Sequence, residues 1–156
     1  MITRPTWLET AQVGTGEFEW SNNSYAYTVC HPNLNPDLPR FVGRTRDDGH
    51  LFISNDVPEE VRELWLGHEV EEAVHIGFDQ PCCCLRALLV ELKEFWLKFP
   101  DSGADEFQDY LSARRDFFVD LVEFHEQSDA PAQFLENVRQ SRDFLVALVS
   151  SMSEGS

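Results

Sequence analysis

Positive charge is scarce in this sequence: 12 Lys and Arg stand against 28 Asp and Glu, a formal net charge of −16 over 156 residues. That balance opposes binding to nucleic acid or to anionic membranes, whose phosphates would be repelled. It is compatible with a solvated acidic surface or with a basic protein partner. After residue 56 there are 21 Asp or Glu against 8 Lys or Arg, so the helical half would carry such a contact. Long apolar runs are missing too. No segment approaches the ~20 apolar residues of a membrane helix, and MITRPTWLETAQ lacks the apolar run of a signal peptide. A soluble, intracellular, cytoplasmic protein is the expectation. Cysteine is sparse, and three of the four residues are consecutive at Cys82, Cys83 and Cys84. This spacing suits neither a disulfide framework nor CxxC zinc chemistry, so reduced thiols are expected. With no internal repeat, low-complexity block or dividing linker, the chain reads as one domain over 1–152 and a flexible tail over 153–156.

What is present is enough apolar material for a core: 42% hydrophobic and 12% aromatic residues. Residues 1–55 read as strands and turns, because Gly, Asn, Asp and Pro punctuate short aromatic and β-branched runs. GEFEW and SYAYTVC flank Asn22-Asn23, a hairpin candidate. RFVGRT and HLFIS flank Arg46-Asp47-Asp48-Gly49, a second one. The three prolines of HPNLNPDLP make the segment between them a loop. From Asp56 the period becomes helical, with Asp56 and Glu59 as a capping box and Pro58 in the first turn. Gly77 ends this helix. Further helices follow from Pro81 to about Phe99, over 105–127, and from Pro131. The predicted fold class is α+β: a small antiparallel or mixed N-terminal sheet of three to five strands over 1–55, then a bundle of about four helices over 56–152.

The helix from Asp56 to Ile76 carries chemistry where a core face should be. Projected at 100° per residue, His68, Glu72 and His75 share the face of Val57, Val61, Leu64 and Trp65. Buried unpaired, each polar group would cost on the order of 2–7 kcal/mol, so the face needs hydrogen bonds, a metal ion or a water-filled cleft. His68 and Glu72 are four apart and can hold one divalent ion. Glu69 follows at the position that supplies the general base in HExxH enzymes. The motif here is HExxE, and the added carboxylate admits Mn²⁺ or Fe²⁺ beside Zn²⁺, the first choice. Glu91, in an apolar stripe with Cys84, Ala87, Leu88 and Phe95, is the candidate third ligand, with His75 its rival. Equally, His68 is a neutral core histidine hydrogen-bonded to Glu72 or Glu91, with no ion at all. Glu71 projects away from the histidines and reads as solvated. Cys82 to Cys84 offer a soft ligand or a nucleophile, or are buried structural thiols. Glu72-x-x-His75 has the spacing of di-iron carboxylate bundles, a further reading.

HLFISNDVPEEVRELWLGHEVEEAV resembles the strand-then-active-helix unit of minimal zincins. The continuation through Cys84, Ala87, Glu91, Leu92 and YLSARRDFF is similar to a loosely defined group of small bacterial and phage proteins, mostly uncharacterised, with an HExxE motif. The resemblance implies a metallopeptidase-like fold hydrolysing a peptide or related amide, or a relative that has lost catalysis. It implies His68 and Glu72 as ligands, Glu69 as base and Glu91 as third ligand. A competing class is a non-enzymatic acidic interaction protein, encoded on mobile DNA, that binds a basic protein surface.

Overall fold

Ser21 (φ 50°) and Asn22 (φ 66°) both lie in the left-handed region and close a two-residue turn between β1 (Gln12–Trp20) and β2 (Asn23–Cys30). Paired positive φ values give the turn the twist that antiparallel strands require. The two strands pair from Trp20↔Asn23 to Gln12↔Cys30. The first hairpin is therefore present, with its turn one residue earlier than Asn22-Asn23. The computed structural model describes residues 6–45 and 48–154, and the chain divides into two compact units, Met1–His75 and Ile76–Ser156.

The first unit opens with a short helix, α1 (Thr6–Ala11), where the sequence suggested only strands and turns. Its sheet has four strands in the order β1-β2-β4-β3. β3 (Val42–Arg44) and β4 (Leu51–Ser54) form the second hairpin, with Val42 opposite Ile53 and Arg44 opposite Leu51. Its turn contains Gly49 at φ 70° and is closed by the Thr45 amide donating to the His50 carbonyl at 2.9 Å. Arg46 and Asp47 of the expected turn lie outside the described residues. The two hairpins join through a parallel pairing of β2 with β4, Tyr27↔Leu51 to Cys30↔Ser54. The proline-rich segment between them is irregular, as expected, with one 3₁₀ turn at Pro32–Leu34 that the His31 ring caps by accepting the Asn33 amide.

The helix start differs from the sequence reading. Pro58 is extended (ψ 136°), no side chain caps the 3₁₀ turn Glu59–Val61, and α2 proper runs Arg62–Val70. No capping box forms, because helical geometry begins only after the proline. Instead the Asp56 amide donates to the Ser54 hydroxyl at 3.2 Å. α2 lies on the sheet, touching β1, β3 and β4. Gly67 permits the closest approach: a Cβ there would sit 2.3 Å from a carbon of the Trp20 ring. Glycine inside a helix costs roughly 1 kcal/mol relative to alanine, and here it lets an indole lie against the helix backbone. The core of this unit is Phe18, Trp20, Val29, Ile53, Leu64 and Trp65, all buried.

The second unit holds α3 (Cys83–Lys98), α4 (Ala104–Gln127) and α5 (Ala132–Glu154), close to the bounds expected from Pro81, Gly103 and Pro131. The Glu106 carboxylate accepts the Gly103 amide at 3.0 Å and fixes the start of α4. α5 packs on both α3 and α4. The Phe95 ring stands 5.1–5.2 Å from those of Phe99, Phe107 and Tyr110, an aromatic cluster that joins α3 to α4. α5 continues through Ser153 and Glu154, so half of the expected tail is helical, while Gly155 and Ser156 lie outside the described residues. The architecture is α+β, a four-stranded mixed sheet first and the main helices after. No helix among the described residues is long and apolar enough to cross a membrane.

Two stability measurements test this packing. Gly67→Ala drives a methyl into the Trp20 ring, and overpacking of this kind costs about 1–3 kcal/mol; the melting temperature should fall, and an unchanged value would show that the ring is not seated there. His125, in the last turn of α4, lies between the rings of Phe124 (5.2 Å) and Phe134 (4.6 Å), and burial lowers its pKa from the ordinary 6.5. A base depressed in the folded state binds fewer protons there than when unfolded, so its contribution to stability is lost as pH falls through the unfolded value. His125→Phe should shrink the drop in melting temperature between about pH 7.5 and pH 5.

Candidate metal centre

The segment that carries the polar side chains changes helix type in its middle. α2 ends at Val70, and Glu71–Ile76 is a π-helical turn, wider than α and therefore rotating less than 100° per residue. Any projection at the α period drifts out of phase from Glu71 onward. Glu71, read as solvated, is instead buried at 6% exposure; at 100° per residue it falls about 20° from Leu64, on the core face. Its Oε1 accepts the Trp20 indole N–H at 2.8 Å and contacts His75 Nδ1 at 3.0 Å. His75, the rival third ligand, is thus paired with Glu71, with about a third of its side chain exposed. Gly77, at φ 101°, ends the turn at the residue expected to do so.

His68 and Glu72 do meet. His68 is 3% exposed and its Nε2 lies 3.1 Å from Glu72 Oε1. Two donors about 2.0–2.1 Å from one tetrahedral zinc ion stand ~3.3 Å apart, so this separation fits a shared ion as well as a shared proton. Glu69, next to His68 on α2, is half-buried. His68 and Glu72 are one imidazole and one carboxylate of a single helical segment, placed to share a metal ion. Cys84, in the first turn of α3, is buried and accepts a hydrogen bond on Sγ from the Ser141 hydroxyl at 3.1 Å. No protein-family model, curated protein or solved structure matches the chain.

Glu91 occupies the apolar face of α3 predicted for it, wholly buried with Cys84, Ala87, Leu88 and Phe95. Within its unit it is the acceptor of a charge cluster. Arg114 donates through Nε to Oε2 and through Nη2 to Oε1, both at 2.7 Å, and the Tyr110 hydroxyl donates to Oε2. The guanidinium stacks over Phe117 (5.2 Å) and Phe118 (4.9 Å). Burial disfavours the Arg114 cation, but the Glu91 charge and Tyr110 outweigh it and raise its pKa. Burial first, then the Glu91 charge, pushes the Tyr110 hydroxyl well above its ordinary 10.0 and keeps it a donor. A metal role for Glu91 would therefore compete with two charge-assisted bonds.

The sequence carried a signal for Arg114 that the reading of α4 passed over. Arg114 lies three or four residues from Tyr110, Leu111, Phe117 and Phe118, in phase with the buried face. A cation in that phase needs an anion, and Glu91 is the carboxylate found in the same position on α3. Arg114→Met should cost about 3–5 kcal/mol by stranding the Glu91 carboxylate. Adding Glu91→Leu should recover part of that loss in chemical denaturation, whereas additive losses would mean that the pair is not coupled.

Proposed function

We propose that this chain is a divalent-metal-dependent hydrolase of peptide or related amide bonds, in which His68 and Glu72 hold the ion and Glu69 is the general base. The observation that carries the reading is the 3.1 Å approach of the His68 imidazole to the Glu72 carboxylate, buried at the junction of α2 with a π-helical turn. π-Turns inside helices occur frequently at functional sites. The strand β4, a short turn and α2 also follow one another in the order implied by the resemblance to minimal zincins. Glu91, whose oxygens already accept from Arg114 and Tyr110, is disfavoured as the third ligand. The His68 nitrogen and Glu72 oxygen suit Zn²⁺ first, and the carboxylate also admits Mn²⁺ or Fe²⁺. The bound ion would supply Lewis acidity toward an amide carbonyl. Glu69 would take a proton from the attacking water and return it to the leaving amine. β1 and β3 are the edge strands of the sheet, where an extended substrate could align by main-chain pairing.

Metal content after purification without chelator tests this reading. One ion per chain is expected, with a rise in melting temperature on restoring Zn²⁺ to the stripped protein. His68→Ala and Glu72→Ala should abolish both. Glu69→Gln should keep the metal and lose hydrolysis of an unstructured protein substrate by about 10²-fold or more. An apo protein indifferent to Zn²⁺ and Mn²⁺ would overturn the proposal, and two ions with visible absorption would indicate a di-iron protein instead.

A further inference from the structure

The outward face of α3 is out of character for so acidic a chain. Arg86, Leu89, Lys93, Trp96 and Leu97 fall within about 100° of one another at the α-helical period, and all are exposed, Leu89 at 49%, Trp96 at 39% and Leu97 at 64%. No carboxylate lies among them. Neither Arg86 nor Lys93 is in an ion pair among the described residues. Leu89 lies between two cations with no ion pair among the described residues, and Leu97 and the partly exposed Trp96, packed on Phe107, lie beyond Lys93, a surface suited to an acidic helix with an apolar centre.

The same unit supplies such a helix. The outward face of α4 presents Asp109, Asp116, Val119, Asp120 and Glu123, all exposed, with Val119 at 40%. The spacing matches as well as the sign. Arg86, Leu89 and Lys93 stand at positions i, i+3 and i+7, and Asp116, Val119 and Glu123 repeat that pattern with the charges reversed. On both helices the charges are two turns, about 10.5 Å, apart with an apolar residue between them. We propose that the chain self-associates by docking the α3 face of one copy on the α4 face of another, Arg86 and Lys93 against Asp116 and Glu123, with Leu89 against Val119. In a symmetric pair each copy gives one face and receives the other. The competing contact of Asp116 with Arg115, at 3.0 Å, is exposed and of a kind worth little, so it yields. At physiological ionic strength the Debye length is about 8 Å, which screens the mutual repulsion of two −16 chains while sparing charges in contact. The inference does not depend on the metal reading.

Sedimentation velocity on the full chain from micromolar to millimolar concentration tests it. A dimer that weakens as salt rises is expected. Arg86→Glu with Lys93→Glu, and separately Asp116→Lys with Glu123→Lys, should each raise the dissociation constant by about tenfold or more, with unchanged circular dichroism because every altered residue is exposed. An equimolar mixture of the two reversed variants should associate again, since each restores the complement of the other. A wild-type chain that stays monomeric throughout, a dimer indifferent to both reversals, or a mixture that fails to associate would overturn the proposal.

Discussion

The bond from the Trp20 indole to Glu71 reaches from the last residue of β1 to the first residue of the π-helical turn, and much of the first unit depends on it. A carboxylate taken out of water is tolerated only with donors in place, and Trp20 is fixed by its strand. The helical segment must therefore rotate until Glu71 faces the indole. Gly67, one turn earlier, removes the Cβ that would keep the ring away. With the rotation set, Glu72 is directed at His68 and His75 is left to Glu71. Two carboxylates adjacent in sequence thus have separate partners, one structural and one available for chemistry.

The second unit solves the same problem with a full ion pair. Glu91, Arg114 and Tyr110 are all buried, and the guanidinium is both hydrogen-bonded and stacked on two rings. A buried pair of this kind contributes little net stability against apolar residues of equal volume, yet losing one partner is severe. It specifies which face of α3 meets which face of α4, since any other pairing would bury a charge alone. The outward face of α4, free of that constraint, carries Asp109, Asp116, Asp120 and Glu123.

Much of this was legible in the sequence because it rests on local signals. Asn22 and Gly49 marked the hairpins, Pro81 and Pro131 the helix starts, and the apolar phase of α3 placed Glu91 inside. The His68–Glu72 contact followed from spacing alone. What was not legible depended on partners far along the chain. The α-helical projection places Glu71 beside Leu64 on the core face, but nothing local names Trp20 as its partner. Glu91 was correctly buried and assigned a metal, because its ion-pair partner lay 23 residues away on a helix read only for its aromatics.

The parallel pairing of β2 with β4 has a kinetic meaning. Each hairpin can close on its own within microseconds, but the sheet exists only when Tyr27 finds Leu51 across the whole proline-rich segment. Closing that loop costs entropy before any contact rewards it. The surface on which α2 lies therefore assembles late and non-locally, and until then Trp20 and Glu71 have no fixed meeting point. The geometry of the HExxE helix belongs to the finished sheet, not to the helix itself.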